Sequence, residues 1–227
     1  MTDISYKRSE NKFISKTFLY MTMGLVTTFI VAYLVSISEV FMNLIYSNGY
    51  SLFAICAIEI GLVVIINKQL KNISTTTAFA LFLLYSAVNG ITFATIFAIY
   101  DLSSIITVFI IAAIMFFCCS MIGLTSKKDL STMGRICIMA LIGIIVASIM
   151  NFFIGSASLY NGINYIGLFL FCGLTAYDMQ KIKVIHQSSY ELNKAHLNKF
   201  AVIAALELYL DLINLFIYLL RLIGKRR

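Results

Sequence analysis

Forty-two consecutive residues, from Ile136 to Tyr177, carry no charged side chain. A helix rises 1.5 Å per residue and needs about 20 apolar residues to cross a hydrocarbon layer of about 30 Å. The run is therefore long enough for two crossings. Its natural break is Gly155-Ser156-Ala157-Ser158, followed by Asn161-Gly162. Thr17 to Ser38 and Asn72 to Tyr100 are charge-free as well. Inside a bilayer each segment must satisfy its own backbone groups, which leaves helices or closed barrels. Barrel strands alternate over about ten residues, and these runs do not. Composition agrees: 61% of the 227 residues are hydrophobic and 12% charged, where a soluble domain carries about 25% charged residues. A soluble globule, a disordered chain and a secreted disulfide scaffold are excluded.

The expected architecture is an all-α polytopic membrane protein with seven transmembrane helices. They are read at about 17–38, 50–67, 77–100, 103–125, 133–154, 162–184 and 200–223. Short connections leave no room for a separate soluble domain, so 1–227 reads as a single membrane domain. Asn48-Gly49 marks a turn, and Asp101, Ser103 and Ser104 a tight connection. The first apolar stretch is too long for a signal-peptide core and lacks a small-residue cleavage site. No strong internal repeat is visible.

The net charge of +7 is topogenic rather than a nucleic-acid signal, because no basic patch interleaves with aromatics on a soluble domain. Lys and Arg number four before the first span and two, three and four in the second, fourth and sixth connections, with none in the others. Cytoplasmic loops hold positive charge, which predicts a cytoplasmic N-terminus in a multi-pass membrane protein. Seven crossings put the C-terminus outside, yet Arg221, Lys225, Arg226 and Arg227 lie there. The last helix either crosses against its own charge bias or stops short, and the full crossing is the reading taken.

Ionisable residues at membrane depth are expensive and mark function by default. Glu59 lies near the middle of the second span, Asp211 near the middle of the seventh, and Asp178 near the cytoplasmic end of the sixth. Glu207, Asp211 and Asn214 follow at i, i+4 and i+7, with Arg221 seven residues on, forming one polar stripe. That stripe must face protein or water; a hydrogen-bonded packing seam is the bland alternative. Two close carboxylates in a dry site do not both stay charged cheaply; they share a proton and titrate as a pair. Losing the proton pushes them apart or invites a cation, which suits a pH-gated pore or a proton-coupled carrier. Hard divalent cations such as Ca2+ favour oxygen ligands. Asn89-Gly90 sets a polar and a small residue at mid-membrane, where Gly permits close helix approach. Lys68, Lys71, Lys127 and Lys128 read as interfacial anchors, one of which can reach inward to Glu59.

His186 and His196 sit in the polar stretch Lys181–Lys199 and read as solvated loop residues. The five cysteines lie in apolar stretches without a CxxC pair and read as small lipid- or core-facing residues. No zinc-protease, P-loop or dinucleotide motif is present. No enzymatic activity, no resident cofactor and no nucleic-acid partner are expected.

Gly173-Leu174-Thr175-Ala176-Tyr177-Asp178-Met179-Gln180 and Leu208-Tyr209-Leu210-Asp211-Leu212-Ile213-Asn214-Leu215-Phe216 resemble the two signature segments of the Bax inhibitor-1 family. Tyr85-Ser86-Ala87-Val88-Asn89-Gly90, Glu59, Lys16-Thr17-Phe18 and Met21 extend the resemblance over nearly the whole chain. The resemblance implies six helices around a central C-terminal seventh. It also implies a bacterial inner-membrane protein that acts as a pH-sensitive Ca2+ leak channel, whose proton sensor and candidate Ca2+ site is Asp178 with Asp211. In the family a basic residue near the end of the second helix holds the closed pair; here Lys68 and Lys71 stand there and no Arg does. Glu207 departs from the family pattern of a small or apolar residue. The lipid bilayer, Ca2+ and H+ are the expected partners. Two other readings stay open: a membrane-embedded regulator of an unknown protein partner, and a proton-coupled cation transporter.

Overall fold

A computed structural model describes residues 3–47, 50–69, 73–189 and 194–227. Its elements are eight helices: α1 (Asp3–Ser36), α2 (Glu39–Ser47), α3 (Ser51–Gln69), α4 (Thr75–Ile99), α5 (Leu102–Thr125), α6 (Ser131–Ile154), α7 (Ala157–Ser189) and α8 (Lys194–Ile223). The expected turn at Asn48-Gly49 and the expected anchor Lys71 lie outside the described residues.

The expectation of seven crossing helices is overturned, and with it the arrangement of six around a seventh. Among the described residues six helices are long and apolar enough to cross a membrane: α1, α4, α5, α6, α7 and α8. The expected second span corresponds to α3, which is not among them. With 19 residues, about 28 Å at 1.5 Å per residue, it is the shortest of the helices that match an expected span. It also carries Glu59 and, in its last turn, Lys68. The short α2, which was not foreseen, fills the connection before it. At the other extreme α1, α7 and α8 have 34, 33 and 30 residues, more than one crossing needs. Polar stretches expected to be loops are thus helical. α7 starts at Ala157, so Asn161-Gly162 lies within it and only Gly155-Ser156 separates it from α6. Gly155 ends α6 with φ 70°, a left-handed cap for which Gly carries no Cβ penalty.

The chain divides into two compact units, Met1–Tyr100 with Ile185–Tyr209, and Asp101–Val184 with Leu210–Arg227. In the first, α1 packs along α4, and α3 packs on α4 as well. The buried face of α4 is Ala78, Phe82, Tyr85, Ser86, Asn89, Gly90, Phe93 and Ala94, recurring at three- and four-residue steps as one helical face must. Gly90 lets α1 come close: a Cβ built there would stand 2.8 Å from both the Thr28 carbonyl oxygen and Val31 Cβ. Ser74 caps α4, its hydroxyl accepting from Thr77 N–H at 3.0 Å.

In the second unit α5 turns inward Ile105, Val108, Ala112, Phe116, Ser120 and Gly123. Gly123 lies against the backbone of Ala176 on α7. Gln180 on α7 closes the α5–α6 connection, accepting from Leu130 N–H and donating to Lys128 O, both at 2.8 Å. Lys183 donates to Leu124 O at 2.9 Å. At the other end of α5, Asp101 N–H donates to Lys225 O at 3.1 Å, and Lys225 N–H donates to Ser104 Oγ at 2.9 Å. The Asp101 carboxylate faces Arg227 Nε at 3.7 Å and Lys225 Nζ at 4.0 Å. The basic tail after α8 is therefore tied to the end of this unit that holds the acidic Asp101. α6 buries only Gly134 and Ile144. Most of its other large apolar side chains, Ile142 and Phe152 among them, are exposed, as lipid contact requires.

Candidate membrane-embedded acidic site

Residues 201–220 of α8 are buried or half-buried and none is exposed, so a carboxylate in this stretch meets mostly protein rather than lipid. Asp211 is 3% exposed and is followed by buried Leu212, Ile213 and, one turn on, Leu215. Such a group is tolerated only when it is hydrogen-bonded, paired or protonated. Cys119 and Cys137 lie within electrostatic range of it. Asn214, one turn further, donates its amide to Leu210 O at 2.8 Å. The amide thus finds an acceptor inside its own helix. Arg221 is exposed, with its guanidinium 5.8 Å from the centre of the Tyr218 ring.

Asp178 is half-buried on α7. Gly134 seats Tyr177 immediately before it, and Gln180 and Lys183 hold the following turn. Asp178 and Asp211 both belong to the second unit, whereas Glu59, Lys68, Asn89 and Glu207 belong to the first. Glu207 is half-buried and stands one turn before Asp211 on α8.

In the first unit Glu59 is half-buried, and its Oε1 accepts from the Thr92 hydroxyl at 2.7 Å. Three residues before Thr92, Asn89 is 6% exposed and donates to Tyr85 OH at 3.3 Å. Tyr85 meets the Tyr209 ring edge-on at 5.9 Å. Lys68 is exposed.

Sequence reasoning missed several buried polar groups. Thr28 and Tyr209 join their hydroxyls at 2.6 Å; Tyr209 lay inside a quoted segment, but nothing in the sequence pointed to Thr28. Asn164 and Ser120 are also fully buried. His186 corrects an expectation. It is a residue of α7, 0% exposed, with its Nε2 3.0 Å from Ser9 Oγ and its ring against Tyr6 and Phe13. The reason is that α1 begins at Asp3 and covers the end of α7. His196 falls on α8 rather than in a loop.

The family model described as inhibitor of apoptosis-promoting Bax1 matches residues 10–227. The chain belongs to the Bax inhibitor-1 family. It is 43% identical over its full length to an uncharacterised protein of Borreliella burgdorferi, covering 99% of that protein. It is 39% identical over 215 residues to inner membrane protein YbhL of Escherichia coli, covering 95% of this chain and 92% of YbhL. An uncharacterised membrane protein of Streptococcus pyogenes is 35% identical over 217 residues, covering 95% and 93%. Among the described residues no group of three or more His, Cys, Asp or Glu side chains is placed to hold a metal ion.

Proposed function

We propose that this Bax inhibitor-1 family protein passes cations across the bacterial inner membrane under the control of a shared proton on Asp178 and Asp211. The observation that carries the reading is the burial of Asp211, 3% exposed in the middle of α8, in the same unit as Asp178. Protonated, the pair is held together; deprotonated, it leaves two like charges in a poorly screened site, and their repulsion favours separation or cation capture. Flux therefore rises with pH. Ca2+ is the cation such oxygen ligands favour, and Glu59, Glu207, Asn89, Asn214, Lys68 and Lys71 are the supporting polar residues. The basic N-terminal segment around Lys7, Arg8, Lys12 and Lys16 is on the cytoplasmic side. The test is Ca2+ entry into liposomes holding only this protein, across about pH 5 to 8, a span above the roughly 3.9 of a free aspartate. Asp211→Asn is expected to flatten the pH profile; a profile unchanged from wild type refutes the pair as sensor.

A second reading, a membrane-embedded regulator of a protein partner, is favoured by α6, which presents almost its whole surface outward. Flux in pure liposomes separates the two, because a regulator leaks nothing without its partner.

A further inference from the structure

We propose that Asn164 and Ser120 line a hydrated path through the second unit, on which Asp211 also lies. This rests on the cation-path reading above and names further residues of it. Asn164 on α7 is 0% exposed, and neither its amide oxygen nor its amide nitrogen has a hydrogen-bond partner among the described residues. Ser120 on α5 is 2% exposed, and its hydroxyl has none among them either.

Buried polar groups are almost always hydrogen-bonded, and leaving one unmet costs on the order of 1–3 kcal/mol. A serine or threonine inside a helix has an easy remedy, a bond back to the carbonyl four residues earlier. Thr175 takes it, donating to Phe171 O at 2.7 Å, whereas Ser120 does not. An amide with both ends unspent and a hydroxyl that declines its own backbone are what water-facing groups look like in a protein interior.

Their depths form a ladder. The ends of α5 and α8 are tied through Asp101, Ser104 and Lys225, and the short connections run α5, α6 and α7 up and down from that end. Ring contact between Phe109 and Phe216, at 5.9 Å, supports the register, since one lies seven residues after Leu102 and the other seven before Ile223. On 1.5 Å per residue, Asn164 is about 10 Å from this end, Asp211 about 18 Å and Ser120 about 27 Å. The three come from α7, α8 and α5 in turn, which gives a cation oxygen partners at successive levels.

The test is thiol accessibility, which does not depend on flux. Asn164→Cys and Ser120→Cys are made in protein whose five native cysteines are replaced by serine, then reconstituted in liposomes and treated with Ag+ from the aqueous phase. Ile166→Cys is the lipid-facing control, because Ile166 is 57% exposed. Both path thiols are expected to react at least about ten-fold faster than the control, which hydrocarbon shields from a charged ion. Rates equal to the control overturn the path. If Asn164→Cys fails to fold, Ser120→Cys, a near-isosteric change, decides alone by the same criterion. Reactive thiols together with pH-independent Ca2+ flux refute the aspartate sensor and leave the path standing. Unreactive thiols with pH-dependent flux refute the path and leave the sensor standing.

Discussion

The hydroxyls of Thr28 and Tyr209 meet at 2.6 Å, with Thr28 3% and Tyr209 0% exposed. Thr28 also approaches the carbonyls of Gly24 at 3.0 Å and Ser86 at 2.9 Å, so one side chain links α1, α4 and α8. Phe82 stacks edge-on against the same Tyr209 ring at 5.6 Å. The glycine contacts bring the helices near enough for these short bonds, and apolar packing shields them from competition.

Tyr209→Phe keeps the ring contacts and removes only the hydroxyl. Thr28 retains carbonyl acceptors, so no group is stranded. The expected loss is about 0.5–1.5 kcal/mol, read as a lowered thermal midpoint in detergent. No loss indicates that the bond contributes nothing net.

Gly90→Ala places a methyl 2.8 Å from the Thr28 carbonyl and Val31 Cβ. Backbone cannot yield as a flexible side chain does, so overpacking should cost about 1–3 kcal/mol. Gly143→Ala is the control: nothing lies within 4 Å of its Cβ, and helix propensity alone makes it neutral or stabilising. Equal midpoints for the two variants refute the close approach of α1 and α4.

Thr92→Val deletes the donor to Glu59 Oε1 and keeps the side-chain shape. Leaving the half-buried carboxylate without it should cost about 1–3 kcal/mol. Glu59→Gln preserves an acceptor oxygen for the same hydroxyl and should cost less. Thermal unfolding of both variants checks the order, and a reversed order removes this bond from the α3–α4 contact.

Asp129 gives a pH signature outside the membrane. Hydrogen bonds from Ser131, through its hydroxyl and its backbone N–H at 2.9 Å, hold the exposed Asp129 carboxyl below the usual carboxylate range. A depressed folded value means the stabilisation is present above the ordinary range and is lost as pH falls through the lowered value. Asp129→Ala should therefore lower the thermal midpoint slightly at neutral pH. The difference from wild type should vanish in strong acid. A difference that grows on acidification contradicts the sign.

Sequence alone determined the positions of most helices, because charge-free runs and the polar breaks between them follow from what a bilayer admits. The long runs around Ile105, Ile144 and Leu170 became α5, α6 and α7 nearly where expected. Family membership was equally legible in the segments around Asp178 and Asp211. Helix count was not: six helices among the described residues are long and apolar enough to cross, and α3 is not one of them. α2 came from residues that read as a connection. Nor was the fate of single polar residues legible. His186 read as a loop residue until α1, starting at Asp3, covered it. Thr28 was one threonine among many until Gly24 and Gly90 let α4 come close. Burial is set by which helix lies opposite, a non-local property. Only the tertiary structure decided that Asn214 turns back on its own helix while Asn164, equally polar, keeps both ends of its amide unspent.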